Sequence, residues 1–486
     1  MEYKVLIPSA GLGTRLGKSY KNVNKALVSV DNKPVISHII EKFSTNITFV
    51  IALGHKGSLL KDYLDLAHQE YNFEYVFIDK YFGKGSGLGY SILQCRNYLN
   101  CPFVFAPNDA LVTESIPIPD ENWLGYGNIE LEDDNYRSLT INENRIVKIL
   151  EKGVKSSNSQ KPYIGLAGIN NYKKFWEYMD SGKNYGSISI GESYAIDQFL
   201  KNSISIKGIP FTWYDTGNIS RLNYARNIIK SPNSPEILDK PNEAIWFISD
   251  KVIKYNDDKK FISNRVKRSK ILSGYVPEII GVKENMYAYK HIAGKTLSKV
   301  SNKNIFISLT LFLDKFWTNY NIEKYDEKKF HEACLKFYKD KTYQRVQLFF
   351  NRFLEKDSAE IVNGCSIPSI NELLNRINWD ELKIGVPRRI HGDLHFENIL
   401  STELSGFSLL DWRQDFSGII EYGDLYYDFS KLLHGLIISH ELINKNHFYI
   451  EKNEDIINFG FYRKNSLVEN ECDFFDFLIS NDFDVF

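Results

Sequence analysis

Strand-like and helix-like segments alternate through the first half of this 486-residue chain. Apolar runs typical of buried strands cover residues 3–8, 48–53, 74–78 and 102–106. Helical patterns lie between them, at residues 33–43, 58–68 and 88–99. This alternation predicts a doubly wound α/β fold with a mainly parallel sheet, because each crossover helix returns the chain to the same end of the sheet. Ligands of such sheets bind at the carboxyl ends of the strands, where residues 9–15 form a glycine-rich turn.

A proline-rich stretch with few apolar residues separates two parts of the chain. Its prolines are Pro232, Pro235 and Pro241, a composition typical of a linker. Strand-like segments follow it, then a block of helical segments, and the acidic tail predicts either a capping helix or partial order. We therefore predict an α/β domain over residues 1–230, a linker over residues 231–243 and a separate α+β domain over residues 244–486.

Composition limits the partners of the chain. The 60 Lys and Arg against 61 Asp and Glu give a net charge of −1, so no global field attracts nucleic acid or a membrane surface. Five scattered cysteines without a CxxC pair favour a reducing compartment over a disulfide framework. No apolar run approaches the roughly 18 residues of a membrane span. We expect a cytoplasmic protein that binds neither nucleic acid nor membrane, and a homo-oligomer stays open.

The glycine-rich turn carries the first candidate site. Gly11 and Gly13 let backbone N–H groups approach phosphate oxygens, and Thr14 and Arg15 follow at once. Lys25 lies on the next loop, and two cations beside such a turn suit a triphosphate and the pyrophosphate that leaves it. A tight turn without a ligand is the alternative reading of the glycines alone.

The order Ser9-Ala10-Gly11-Leu12-Gly13-Thr14-Arg15, followed by Lys25, resembles the signature of the sugar nucleotidyltransferases. The resemblance covers about residues 1–230 and continues through further elements in the family's order. These are the Gly87 segment, Asp109, the Glu151-Lys152 pair, the Gly165–Gly168 segment, Glu192 and the Trp213-Tyr214-Asp215-Thr216-Gly217 run.

The resemblance implies a role for each element. It assigns the nucleotide to Ala10, Gly11, Gly13, Thr14 and Gly87, and catalysis to Arg15 and Lys25. It assigns the sugar phosphate to Lys152, Gly168 and Glu192, and Mg²⁺ to Asp109 and Asp215. In three places the chain departs from the family, with Asn24, Asn108 and Gly153 where Pro, Gly and Pro are usual. These changes alter loop stiffness rather than reactive groups, so they leave the substrate open.

A second motif lies in the C-terminal half, where His391-Gly392-Asp393 precedes Asn398, and Asp411-Trp412 follows an apolar strand. Phosphoryl transfer from ATP needs a carboxylate near the acceptor hydroxyl and oxygen ligands for magnesium, and this set provides them. The pattern resembles the aminoglycoside phosphotransferase and choline kinase branch of the protein-kinase-like fold. By that resemblance Asp393 is the catalytic base, and Asn398 and Asp411 bind Mg²⁺.

The same resemblance makes Lys254 the candidate lysine for the ATP phosphates. Lys251 is a rival, and an exposed strand lysine is the alternative reading. The helix predicted at residues 259–272 contains no Asp or Glu that could pair with Lys254. His395, like His434 and His440, is read as a structural hydrogen-bond donor.

Together the two motifs predict a bifunctional enzyme. The kinase half would phosphorylate a small hydroxylated metabolite with ATP, and the other half would join that phosphate to a nucleotide from CTP, UTP or dTTP. A sugar acceptor would give a nucleoside-diphosphate sugar for capsule or other surface-polysaccharide synthesis. A choline- or ethanolamine-type acceptor with CTP is the alternative, and a third reading makes one half a degenerate regulatory module.

Overall fold

A computed structural model describes residues 2–17, 20–128, 136–153, 160–232, 237, 240–318, 320–402 and 406–484. The chain forms two compact units, Met1–Asp258 with Gly281–Ala288, and Lys259–Ile280 with Tyr289–Phe486. Pro235 and five other positions of the predicted linker, residues 233–236 and 238–239, lie outside the described residues. Among the described residues, no helix is both long enough and apolar enough to span a membrane.

The first unit is built on a nine-stranded sheet with small ladders beside it. Its strands are β1 Lys4–Ser9, β2 Ser29–Val30, β3 Lys33–Pro34, β4 Thr48–Leu53, β5 Asn72–Phe77, β6 Phe103–Phe105, β7 Ala110–Val112, β8 Trp123–Gly127, β9 Ser138–Asn142, β10 Arg145–Leu150, β11 Gln160–Ile169, β12 Lys207–Phe211, β13 Trp213–Asp215, β14 Glu243–Ile248 and β15 Lys251–Asn256. Its helices are α1 Val35–Ile40, α2 Gly57–Ala67, α3 Leu88–Gln94, α4 Tyr172–Ser181, α5 Ser187–Ile190, α6 Glu192–Lys201 and α7 Ile219–Ile228.

The sheet is mixed rather than mainly parallel. Its order is β5-β4-β1-β6-β11-β8-β12-β10-β9, and only β5, β4, β1 and β6 form the predicted parallel block. The ten-residue strand β11 pairs antiparallel with β6, β8 and β9, which ends that block. Strand β12 pairs parallel with β8, but the other pairings of the later strands are antiparallel. The prediction was wrong for those pairings because helices do not connect all of these strands, and β9 and β10 form a hairpin.

Strands β1, β4 and β6 of the parallel block are buried on both faces, as continuous apolar strands require. Val5 and Ile7 of β1 belong to one hydrophobic cluster, and Leu6 between them belongs to the other. The ends of these strands are therefore fixed from both sides, and the turn after β1 starts from a rigid base.

The hairpin of β14 and β15 packs in the core of the first unit. Trp246 is fully buried, and its ring centroid lies 5.0 Å from that of Tyr63 on α2. Residues 244–258 were predicted to open the second domain, yet the stretch from Glu243 to Asp258 lies in the first compact unit. The proline-rich stretch is therefore not the boundary between the two units, because the chain beyond it supplies apolar side chains to the first core.

The second unit is mostly helical. Its helices are α8 Lys259–Ile271, α9 Leu297–Val300, α10 Lys303–Thr318, α11 Glu327–Leu335, α12 Lys341–Phe353, α13 Ile370–Asn375, α14 Trp379–Leu382, α15 Leu425–Ile437, α16 His440–Asn444 and α17 Asn465–Ser480. A π-helical turn, Lys336–Asp340, joins α11 to α12. Strands β16 Ile279–Lys283 and β17 Met286–Lys290 come before α9, and most of their residues belong to the first unit. The remaining strands are β18 Lys295–Thr296, β19 Glu360–Val362, β20 Cys365–Ile367, β21 Pro387–Arg388, β22 Ile399–Thr402, β23 Gly406–Leu409, β24 Gly423–Asp424, β25 Phe448–Asn453 and β26 Ile456–Phe461.

Helix α17 in the tail is part of the core of the second unit. Its Phe474 is buried and lies in edge contact with Phe306 of α10, at 6.4 Å, and with Phe429 of α15, at 6.1 Å. Of the two predictions for the tail, the capping helix is the one that the structure contains.

The position of Trp246 gives a testable prediction. Trp246→Ala removes a fully buried indole and should lower the free energy of unfolding of the first unit by about 3–5 kcal/mol. Hydrogen exchange of peptides from β1 and β4 under increasing denaturant measures that free energy. Tyr185→Ala, at a side chain that is 79% exposed, is the control and should change it little. Equal protection in both variants would mean that the hairpin is not part of the first core.

Candidate active sites

A cavity of about 450 Å³ in the first unit collects most of the residues predicted for nucleotidyl transfer. It lies at the carboxyl ends of β1 and β6. Eleven of the predicted positions line it, namely Ala10, Gly11, Gly13, Thr14, Arg15, Lys25, Gly87, Asp109, Lys152, Glu192 and Asp215.

The loop that carries Lys25 is fixed by Asn24, one of the departures from the family pattern. The buried Asn24 side chain donates to the carbonyls of Ser9, at 3.1 Å, and His55, at 2.7 Å, and accepts from Ala26 N at 2.9 Å. These hydrogen bonds hold the loop against β1, so the chain keeps Lys25 in place without the usual proline. Gly13 adopts φ +67°, and a Cβ there would lie 3.0 Å from Lys25 Cβ, so the turn needs glycine.

Asp109 and Asp215 meet at the ladder between β7 and β13. Asp215 pairs with Ala110, and Thr216 N donates to the carbonyl of Asp109 at 2.8 Å. A Cβ added to Gly217 would lie 2.9 Å from Asp109 Oδ2 and 2.9 Å from Asp215 Oδ1. The glycine therefore leaves a small space between two carboxylate oxygens.

Positive charge faces Asp109. Lys25 Nζ forms an ion pair with Asp109 Oδ2, and Arg15 Nη2 lies 3.8 Å from the same oxygen. Burial opposes ionisation of Asp109, but Lys25 and Arg15 outweigh it and hold the pKa of Asp109 below its usual value. The carboxylate is therefore charged at neutral pH, and both cations also line the cavity where a triphosphate would lie.

Three buried polar groups lie in the cavity wall, namely the Tyr163 hydroxyl, the Glu192 carboxyl group and Trp213 Nε1. Tyr163 and Glu192 interact with each other, whereas Trp213 Nε1 has no hydrogen-bond partner in the described part of the chain. Burial raises the pKa of Glu192, so protonation, and with it hydrogen-bond donation, becomes easier. A buried N–H group without a partner is costly, so the Trp213 indole and the polar groups beside it favour a polar ligand at this wall.

Sequence reasoning missed several residues of this wall. Tyr136 donates to Asp215 Oδ2 at 2.5 Å, and Arg137 donates to the carbonyl of Ile190 at 2.9 Å. No motif pointed to them, because they belong to the strand side of the cavity, away from the glycine-rich turn. Lys152 lies on the same side, where burial together with Arg137 and Arg15 lowers its pKa.

Gly168, predicted to bind substrate, does not line the cavity. It lies in β11, where a Cβ would be 2.0 Å from Trp123 Nε1, so its role is close packing between strands. Gly165, three residues earlier, lines the cavity with φ +83°.

The protein supplies only some of the oxygen ligands that Mg²⁺ needs. Among the described residues, no group of three or more His, Cys, Asp or Glu side chains could hold a metal ion. Asp109 and Asp215 supply two carboxylates around the space at Gly217, and Mg²⁺ commonly takes one or two carboxylates together with phosphates and water. The residues present therefore fit a magnesium ion that arrives with a nucleotide.

In the second unit the His391–Asp393 motif lies on a loop that is anchored by Asp428 of α15. Asp428 accepts from the backbone N–H groups of His391 and Gly392, both at 2.8 Å. Burial raises the pKa of Asp428 to about 6. Burial also lowers the pKa of His391 to about 3, so its ring is neutral. Its Nδ1 accepts from Asp393 N at 3.3 Å.

Asp393 lies in a network of charged and polar side chains. Lys431 Nζ is 2.8 Å from Asp393 Oδ1, and Asn398 Nδ2 donates to Asp393 Oδ2 at 3.2 Å. His395 Nε2 lies 3.6 Å from Asp393 Oδ2, and His395 Nδ1 lies 3.0 Å from Glu397. Although burial opposes it, hydrogen bonds from His395 and Lys431 lower the pKa of Asp393, so the carboxylate is ionised.

Asn398 and Asp411 are brought together by the hairpin of β22 and β23. Leu410 N donates to the carbonyl of Asn398 at 2.7 Å, so Asp411 follows directly beside it. Asp411 adopts φ +60° and forms an ion pair with Arg265 of α8. Helix α8, which contains no acidic residue, therefore places Arg265 beside Asp411, the predicted metal ligand.

Lys254 is buried on β15, in the first unit, so the alternative of an exposed strand lysine does not hold for it. Its rival Lys251 is half-buried, and its Nζ lies 3.4 Å from the carbonyl of Leu66. The role of either lysine at ATP stays a prediction.

Parts of the chain are similar in sequence to known proteins. No protein-family model matches the chain. It is 26% identical over 151 residues to the bifunctional protein GlmU of Methanococcus maripaludis, which is 30% of this chain and 35% of that protein. It is 40% identical over 80 residues to the choline-phosphate cytidylyltransferase of Streptococcus pneumoniae, which is 16% of this chain and 33% of that protein. The chain thus spans about a third of the length of these curated relatives.

Two solved structures cover about half of the chain. The CTP:phosphocholine cytidylyltransferase LicC of Streptococcus pneumoniae aligns with 47% of this chain and 100% of its own, at 21% identity and TM-score 0.40. The structure of UDP-glucose pyrophosphorylase complexed with UDP-glucose aligns with 47% of this chain and 98% of its own, at 21% identity and TM-score 0.41. These comparisons fall in the N-terminal half of the chain, and they do not extend to the predicted kinase half.

The network of charged side chains around Asp393 gives a second prediction. Although burial disfavours the charged ring, Asp393 and Glu397 raise the pKa of His395 to about 9. The ring should therefore stay protonated at neutral pH and lose its proton only as the pH rises through that value. Its contribution to stability is full below the unfolded pKa of about 6.5 and is lost as the pH rises through the folded value. An NMR titration of labelled histidine, assigned with His395→Gln, measures the midpoint.

Glu397→Gln removes one of the two carboxylates and should lower the midpoint of His395. His331→Gln, at a histidine on α11 outside this chain of contacts, serves as the control and should leave it unchanged. A His395 midpoint at or below 6.5 would contradict the charged arrangement.

Proposed function

We propose that the first unit transfers a nucleotidyl group from a nucleoside triphosphate to a small phosphomonoester and releases pyrophosphate. The observation that carries the proposal is the pair of carboxylates at Gly217, in one cavity with Arg15, Lys25 and the glycine-rich turn. A fold-level similarity alone would not define this chemistry.

Each part of the cavity has a task in the proposed reaction. The turn at Gly11 and Gly13 approaches the triphosphate, while Arg15 and Lys25 hold the charge of the leaving pyrophosphate. Lys152 places the attacking phosphate in line with the α-phosphorus. Asp109 and Asp215 would hold Mg²⁺, which orients the phosphates and offsets the charge on them.

Two phosphomonoesters are candidates for the first unit. A sugar phosphate is the first, because the Trp213–Gly217 run resembles the sugar-1-phosphate transferases and the cavity wall contains the buried polar groups of Tyr163, Glu192 and Trp213. The product would be a nucleoside-diphosphate sugar, made from CTP, UTP or dTTP, for surface-polysaccharide synthesis. Phosphocholine or a similar amino alcohol phosphate with CTP is the second, favoured by the 40% identical segment of the choline-phosphate cytidylyltransferase.

We further propose that the second unit phosphorylates the hydroxyl of that metabolite with ATP. Asp393 is ionised and held beside Asn398, so it can accept the hydroxyl proton while Asn398 and Asp411 hold a metal. The two units would then act in sequence, since the product of one is the substrate of the other. If the second unit is instead a degenerate regulatory module, the pair between Arg265 and Asp411 would be permanent and would exclude a metal.

The first proposal predicts a specific loss. Asp215→Asn removes one metal carboxylate and should lower nucleotidyl transfer by orders of magnitude in a folded protein. Asp197→Asn, on helix α6 at a carboxylate that forms an ion pair with Lys201, is the matched control and should keep full activity. Pyrophosphate release measures both variants, and an Asp215 variant within a few-fold of the wild type would remove Asp215 from the site.

The second proposal predicts that the two activities separate. Asp393→Asn should abolish ATP-dependent phosphorylation, because asparagine cannot accept the hydroxyl proton. It should leave nucleotidyl transfer from a pre-phosphorylated substrate unchanged, while Asp380→Asn at an exposed carboxylate should change neither. Loss of both activities in a folded Asp393 variant would contradict separate sites.

A further inference from the structure

We propose that the acceptor of the second unit carries an anionic group, a carboxylate or a phosphate, that binds to three cations beside Asp393. These cations, Lys341, Arg413 and Lys431, are called the cationic cluster below. The inference rests on the proposed kinase function of this unit and narrows its substrate class.

Two aromatic rings hold the cationic cluster together. Phe337 and Tyr427 lie in edge contact, with ring centroids 4.6 Å apart. Lys341 Nζ is 4.3 Å and Arg413 Cζ is 4.7 Å from the centroid of Phe337. Arg413 Cζ is also 6.0 Å, and Lys431 Nζ 5.9 Å, from the centroid of Tyr427. Attraction to the ring faces offsets part of the repulsion between the cations.

The cationic cluster reaches the proposed catalytic carboxylate directly. Lys431 Nζ lies 2.8 Å from Asp393 Oδ1. Arg413 N donates to the carbonyl of His391 at 3.0 Å, and a Cβ added to Gly392 would lie 2.7 Å from Arg413 Cβ. Arg413 therefore passes over the residue that precedes Asp393, in a place that only glycine leaves open.

The charges around Asp393 do not balance. Within the described residues, neither Lys341 nor Arg413 has a carboxylate within 4 Å, and Arg413 Nε donates only to the backbone carbonyl of Asp415, at 3.1 Å. Burial, with Arg413 and Arg345 nearby, lowers the pKa of Lys341 to about 8. An anionic group on the acceptor would restore the balance, whereas a quaternary ammonium or amine would be repelled.

The local fold is unusual at the same place. The π-helical turn Lys336–Asp340 sits between two α-helices and turns Phe337 inward, where it is buried against Phe416 and Tyr427. Such turns are rare and frequently lie at functional sites. Here Lys341 directly follows the turn, so the turn places a lysine of the cationic cluster on the ring of Phe337.

The first test compares acceptors that differ in charge on the same scaffold. The full-length chain, with ATP and Mg²⁺, is assayed for ADP release with glucose, glucuronate, glucose 6-phosphate and glucosamine, and with glycerol, glycerate, glycerol 3-phosphate and serinol. We expect activity with an anionic member of a series and not with its neutral or cationic members. Comparing the activity with glucuronate and glycerate to the activity with the two phosphates shows whether the anionic group is a carboxylate or a phosphate. A neutral or cationic acceptor that is used as well as its anionic counterpart would overturn the proposal.

The second test does not depend on catalysis. Inorganic phosphate is titrated by calorimetry into the full-length wild type, Arg413→Gln, Lys25→Ala and Lys339→Gln. Arg413→Gln should weaken one phosphate site by about tenfold to a hundredfold, the loss expected for one charge-assisted hydrogen bond. Lys25→Ala should leave that site intact because Lys25 belongs to the first unit, and Lys339→Gln, at an exposed lysine of the same π-helical turn, should also leave it intact.

The outcomes of these tests distinguish the anion site from the proposed kinase function. Equal phosphate binding by the wild type and Arg413→Gln would overturn the anion site, whatever the activity of the unit. A phosphate site lost in Arg413→Gln, with no ATP-dependent phosphorylation of any acceptor, would support the anion site and reject the kinase function. With an active anionic acceptor, Arg413→Gln should raise KM about tenfold or more and change kcat less, as expected for a group that binds the acceptor.

Discussion

Carboxylates taken out of water must be matched by nearby cations or N–H donors, and both candidate sites depend on this constraint. In the first unit Asp109 is matched by Lys25 and Arg15, the same cations that a triphosphate would need. In the second unit Asp428 is matched by the backbone of His391 and Gly392, which fixes the loop of Asp393. The hydrogen bonds that stabilise each fold therefore also set the positions of its reactive groups.

Much of the first site could be predicted from the sequence, because its elements lie on turns with strong local signals. The glycine-rich turn, Lys25, Asp109 and Asp215 line one cavity, as expected for groups at the carboxyl ends of neighbouring strands. Tyr136, Tyr163 and the packing role of Gly168 could not be predicted, because they depend on how β8 and β9 pair with β11 across the sheet. Such pairing joins segments far apart in the sequence, and one chain does not reveal its register.

The division of the chain shows the same limit. A proline-rich composition indicated a linker, but the hairpin of β14 and β15 that follows it places Trp246 against Tyr63 in the first core. Composition reports local stiffness and solvation, whereas the compact units are set by long-range burial. The cations near Asp393 could not be predicted for the same reason, since Lys341, Arg413 and Lys431 lie on three separate segments that meet around Phe337 and Tyr427.

The central claim is that one phosphoryl group passes through both units. The most direct measurement supplies the full-length chain with ATP labelled at the γ-phosphorus, an unlabelled second nucleoside triphosphate, Mg²⁺ and an acceptor that the chain phosphorylates. The account predicts that the label enters the acceptor phosphate first and then the diphosphate bridge of the nucleotide product, at the phosphorus next to the acceptor, with unlabelled pyrophosphate released from the second nucleotide. Label that stays in the phosphorylated acceptor, or that appears only as inorganic phosphate, would contradict it.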